Sequence, residues 1–173
     1  MRLLFSFCFF ALSWMAAPAA EAQEDRRATE SIYVEAFGNT GTYSLNFDVA
    51  FPAGIGFRLG ALRATETEYD RVTGTYYRGR TNSAFLMMLN GFVGRNGHHA
   101  EVGAGVIAGG WEHPFVPSLD SPALTATLGY RYQRPVRGVV VRVGFTPTWS
   151  GERIEPMVGA SIGYSLRLKE VIR

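Results

Sequence analysis

The feature that most constrains this chain is an alternation of bulky apolar with small or polar residues, repeated over eight segments: 31–38, 42–51, 55–64, 84–94, 98–108, 123–133, 138–149 and 157–168. Successive side chains of a strand point to opposite faces, so each segment reads as a strand with two unlike sides. Most are 10 to 12 residues long. A tilted strand needs about 9 to 11 to cross a bilayer, whereas strands of soluble sheets are commonly about 5 to 6 long.

The two faces differ in kind. One carries Leu45, Phe47, Val49, then Leu124, Leu128, Tyr130, then Val139, Val141, Val143, and finally Ile162, Tyr164 and Leu166. The other carries Ser44, Asn46 and Asp48, then Gly56, Arg58 and Gly60, then Thr125, Thr127 and Gly129, and later Gly159, Ser161 and Gly163. A solvated strand face is rarely glycine-rich, because glycine there packs nothing and orders poorly. Small residues with scattered charges suit the crowded inside of a narrow barrel whose bulky residues meet lipid. Such a sheet must close, since an open edge cannot be hydrogen-bonded in hydrocarbon. The expected fold is therefore all-β: a closed, antiparallel, eight-stranded up-and-down transmembrane barrel over 31–168.

Connections follow a parity. Those after the second, fourth and sixth segments are tight: Pro52-Ala53-Gly54, Arg95-Asn96-Gly97 and 134–137. Those after the third, fifth and seventh, 65–83, 109–122 and 150–156, are longer and polar, so short turns line one rim and long loops the other. The first link, Asn39-Thr40-Gly41, breaks the rule.

The N-terminus reads as an export signal over 1–22: Arg2, an apolar run from Leu3 to Trp14, and Ala20-Glu21-Ala22 ahead of Gln23. A polar lead-in follows over 23–30, and 169–173 is a C-terminal tail. Cleavage would leave 151 of the 173 residues, one domain, and would remove Cys8, the sole cysteine. Disulfide and thiol chemistry are thereby excluded from the mature chain. Charged residues make up only 18%, with one lysine, and the net charge of +2 supports no nucleic-acid footprint.

Alternation places Glu35, Asp48, Arg58, Glu101, Arg131, Arg142 and Arg167 inside. Isolated buried charges are costly, so they should form a structural network, with Asp48 near Arg58 and Glu101 near Arg131 and Arg142. Tyr33, Leu86, Met88 and Phe92 share the inward phase, and eight strands leave room for little besides side chains. The lumen should be filled and not a large pore. In the longest loop Tyr69, Arg71, Tyr76, Tyr77, Arg78 and Arg80 form an aromatic and basic surface suited to lipopolysaccharide phosphates or a partner. His98 and His99 lie at one rim and His113 at the other, too far apart to share a metal. No cofactor, metal or catalytic residue is expected.

Gly129-Tyr130-Arg131-Tyr132-Gln133, 142–147 and the terminal 161–168 carry a resemblance to the small eight-stranded outer-membrane barrels of Gram-negative bacteria, the OmpA/OmpX architecture, and to uncharacterised outer-membrane barrels of this size. The last stretch is similar to the signal read by the barrel-assembly machinery, with Leu168 where such signals usually end in an aromatic. The resemblance implies an outer-membrane location and contact with membrane lipid and lipopolysaccharide; the chain is expected to be a monomer. The reading is a non-enzymatic membrane protein with a structural, surface-contact or adhesion role. Two alternatives remain: a soluble periplasmic or secreted barrel binding an apolar ligand, and a lipid-modifying membrane enzyme using Glu112, His113, Ser118 and Asp120.

Overall fold

A computed structural model of the protein describes residues 28–113, 116–119, 122–134, 137–149, 151 and 154–167. The expected export signal and the C-terminal tail lie outside them. Among the described residues there are eleven strands: β1 (Thr29–Ala36), β2 (Tyr43–Ala50), β3 (Ile55–Asp70), β4 (Thr75–Arg95), β5 (His98–His113), β6 (Val116–Leu119), β7 (Ala123–Gln133), β8 (Gly138–Phe145), β9 (Thr148–Trp149), β10 (Ile154–Glu155) and β11 (Val158–Arg167). Eight of them, β1 to β5, β7, β8 and β11, pair antiparallel with their neighbours, and β11 returns to β1. The sheet is a closed eight-stranded barrel.

Beyond β8 the chain passes Pro147, which has no N–H for a ladder, and resumes pairing with β7 as β9. The expected strand over 138–149 is thus interrupted but not diverted.

Closure has a definite stagger. Followed from partner to partner once around the ring, Arg95, His98, Tyr132, Val141, Ile162, Val34, Leu45 and Ala61 lead back to Phe85, ten residues from the start on β4. Ten residues at about 3.3 Å along the strand, against eight strands about 4.8 Å apart, give a tilt of roughly 40°. Each residue then climbs about 2.5 Å, so about ten residues cover an apolar band about 25 Å tall.

The faces are divided as the alternation predicts. Outward side chains are bulky and apolar, with Leu128 and Ile162 each 66% exposed, while Arg58, Arg131, Asp48 and Glu35 are at most 3% exposed inside. The phase of β4 is settled by the same measure: Leu86, Met88 and Phe92 are buried, whereas Phe85, Met87 and Leu89 are exposed.

The Asn96-Gly97 turn has both residues at positive φ (55° and 85°), the geometry that suits strand twist in a two-residue hairpin. The expected long loop 65–83 is instead mostly a ribbon. β3 and β4 pair as far as Asp70 and Thr75, with a bulge between Thr65 and Thr67, because threonine and tyrosine are strand formers even where the pattern is polar. The loop 109–122 is likewise shortened, by pairing of Trp111 with Leu119 and His113 with Val116. The first link turns inward: Phe37 adopts a left-handed φ of 58°, and Asn39 and Thr40 are buried.

Candidate functional site

The interior is where this fold concentrates its chemistry. Tyr33, on β1, projects into the middle, and three guanidinium carbons surround its ring at 4.8 Å (Arg142), 5.5 Å (Arg58) and 6.0 Å (Arg131). The ring's negative face attracts each cation. Arg131 also lies 5.1 Å from the ring of Phe92.

Each arginine has an acid. Arg58 pairs with Glu35, and its Nε donates to Asn46 at 2.9 Å. Arg142 donates to both oxygens of Glu101, at 2.7 and 2.8 Å, with Glu35 at 3.8 Å. Arg131 grips Asp48 with two bonds, 2.5 and 2.9 Å, and donates to Ser31 at 3.0 Å and Gln133 at 2.6 Å. Two-pronged arginine–carboxylate pairs are the strong form of this interaction. Three buried cations thus face three buried anions.

Of the pairs expected by proximity along the wall, Glu101 with Arg142 forms, and the others do not. Asp48 and Arg58 are cross-strand neighbours, but Asp48 binds Arg131 and Arg58 reaches Glu35. Arg131 and Arg142 are themselves opposite one another on β7 and β8, so like charges diverge: Arg131 crosses the lumen to Asp48 on β2, and Arg142 reaches past β7 to Glu101 on β5. Glu101 accordingly pairs with Arg142 and not with Arg131. The side chain of Arg167 lies outside the described residues.

Three asparagines join this network although the sequence reading assigned them no part in it. Asn90 donates to Glu101 at 3.0 Å, Asn46 receives Arg58, and Asn39 caps the outer end by donating to Thr125 (2.7 Å) and the Ala126 carbonyl (3.0 Å) while accepting from Arg58 (3.3 Å). For Asn46 and Asn90 the inward phase was a signal; for Asn39, in a link with no periodicity, none existed. Glycines make room for this loop. A Cβ on Gly38 would strike the Glu35 carboxylate, and one on Gly159 would lie 2.7 Å from Gly38 Cα.

Above the charges, Leu62, Ala84, Leu86, Ile107, Ala123 and Met157 make an apolar layer. Between Glu35, Glu101, Arg142 and Ser161 a cavity of about 10 Å³ remains, space for one water. The interior is thus equipped to hold charge in place.

At the far end of the β3–β4 ribbon, Arg71 and Tyr76 are exposed, and Tyr69 pairs in register with Tyr76. The side chains of Tyr69, Tyr77, Arg78 and Arg80 lie outside the described residues, as do those of Glu112, His113, Ser118 and Asp120. The ribbon's turn is held by Asp70, whose carboxylate accepts from the Val72 amide at 2.8 Å and the Thr73 hydroxyl at 2.9 Å. These bonds hold Asp70 below the usual carboxylate range.

No protein-family model matches the chain, and no curated protein matches it. Among solved structures it is similar to the crystal structure of the N-terminal β-barrel domain of Pseudomonas aeruginosa OprF, with a TM-score of 0.53 and 10% identity, over 82% of this chain and 98% of that one. At that identity the likeness concerns the fold: an eight-stranded barrel of the kind the sequence resembles.

Proposed function

We propose that this chain is an integral outer-membrane β-barrel protein with a structural, surface-contact or adhesion role, its lumen closed to bulk solutes. The observation that carries this is the reversal of faces: three ion pairs inside, and an outer wall of exposed leucine, isoleucine, valine and phenylalanine. In water such a wall would be a large unsatisfied apolar surface, whereas in hydrocarbon it is the matched one. The stagger, which gives the strands of ten or more residues the rise to span an apolar band of bilayer height, and the likeness to the OprF barrel domain support the same reading. Carrying an apolar ligand in the lumen would require an apolar cavity, and the described interior is occupied by its own charged and apolar side chains. Surface contact falls to the β3–β4 ribbon, where Arg71 and Tyr76 are exposed and where lipopolysaccharide phosphates or a partner would be met. Strand β11, which carries most of the 161–168 stretch, is the segment for recognition by the assembly machinery.

Fractionation tests the proposal. After carbonate and urea washes the protein should remain with outer membranes, and its release into the wash would defeat the reading.

A further inference from the structure

The outward apolar columns end, on four neighbouring strands, in basic side chains. On β4 the exposed phase of Phe85, Met87 and Leu89 continues to Arg95; on β5 it begins at His98; on β7 the phase of Leu128 and Tyr130 leads past the strand end to Arg134; on β8 Arg137 precedes Val139. All four basic residues are exposed. The ladder gathers them on one arc of the rim that carries the short turns, since Arg95 is paired with His98, His98 with Tyr132, and the Gln133 amide with the Gly97 carbonyl at 2.8 Å.

Two tyrosines order the arc. His98 Nδ1 lies 2.5 Å from the Tyr130 hydroxyl, and its ring is 5.2 Å from that of Tyr132. Elsewhere on this rim the β2–β3 turn, Phe51-Pro52-Ala53-Gly54, is uncharged, and Glu30 sits across the ring on β1.

The phase of these side chains decides their partner. Pointing inward, they would be paired in the lumen as Arg58, Arg131 and Arg142 are. Pointing outward at the foot of apolar columns, they meet phosphates at headgroup depth, with aromatic rings at the same interface. We propose that this arc binds an anionic diacyl phospholipid of the adjacent leaflet, its phosphate held by Arg95, Arg134, Arg137 and His98 and its chains lying along Tyr130 and Val141. The proposal rests on the membrane-barrel reading.

The test uses folded, detergent-purified protein incubated with dioleoyl-phosphatidylglycerol or dioleoyl-phosphatidylcholine, with retained lipid counted by native mass spectrometry. Wild type should retain phosphatidylglycerol at least about tenfold better, and Arg95→Gln/Arg134→Gln/Arg137→Gln should lose the preference while keeping the gel mobility of the folded barrel. Excess glycerophosphoglycerol, the headgroup without chains, should leave the bound lipid in place. Equal retention of the two lipids by wild type, a preference that survives the triple substitution, or displacement by the free headgroup would overturn the proposal. Protein that resists carbonate and urea yet shows no lipid preference would sink this site alone, whereas protein removed by those washes would sink the membrane reading beneath it.

Discussion

A guanidinium inside a barrel eight strands wide has little access to water, so Arg142 depends on Glu101 and Glu35 for its counter-charge. Removing one partner of a buried pair leaves uncompensated charge and costs about 3–5 kcal/mol, and reversing the partner's charge adds repulsion to that. Arg142→Glu is therefore expected to lower markedly the temperature at which the folded band is lost on a semi-native gel. Arg71→Glu, on the exposed ribbon turn, should leave that temperature unchanged, and equal effects would mean that Arg142 does not face inward. Alternation alone told that Glu35, Asp48, Arg58, Glu101, Arg131 and Arg142 point inward, because phase is a local property of a strand. It told one pairing, Glu101 with Arg142, but not the other two: arginine is long enough to span this lumen, so Asp48 meets Arg131 from across the ring and leaves its wall neighbour Arg58 to Glu35.

Among the elements, strand phase was the most readable feature and the connections the least. The 65–83 segment carries no apolar face, yet its backbone pairs, since Thr75 to Tyr77 oppose Glu68 to Asp70 with strand-forming side chains on both arms. Asp70 closes that ribbon. Its carboxylate is more acidic than usual, so the stabilisation is full above the ordinary carboxylate range and disappears as pH falls through the lowered value. The Val72 amide, followed by NMR, should titrate at that lowered pH, and in Asp70→Asn the transition should vanish. A Val72 transition at the ordinary carboxylate pH would remove the capping role. The first link gave no local signal for a different reason: its fold is set by contacts with Thr125 and Ala126 on a distant strand. Gly159→Val would drive a side chain into Gly38, displacing Asn39, and should speed amide hydrogen exchange at Asn39 and Thr40. Unchanged exchange there would show that the link is not wedged against β11.

For the molecule as a whole, the ten-residue stagger and the contents of the lumen belong together, since a narrow barrel leaves a space that Tyr33, Met88, Phe92 and three ion pairs fill. In a planar bilayer the protein should give no steady large conductance, while Met88→Ala/Phe92→Ala should raise the leak. A reproducible pore in wild type that admits sugars would overturn the filled interior. The central claim, that the bulky face meets lipid and the charged face is enclosed, is tested most directly by tryptophan quenching with brominated phospholipid. In a background with Trp111 and Trp149 replaced by phenylalanine, Ile162→Trp and Leu128→Trp should be strongly quenched and Phe92→Trp should not. Quenching of the Phe92 position with sparing of Ile162 and Leu128 would contradict the account.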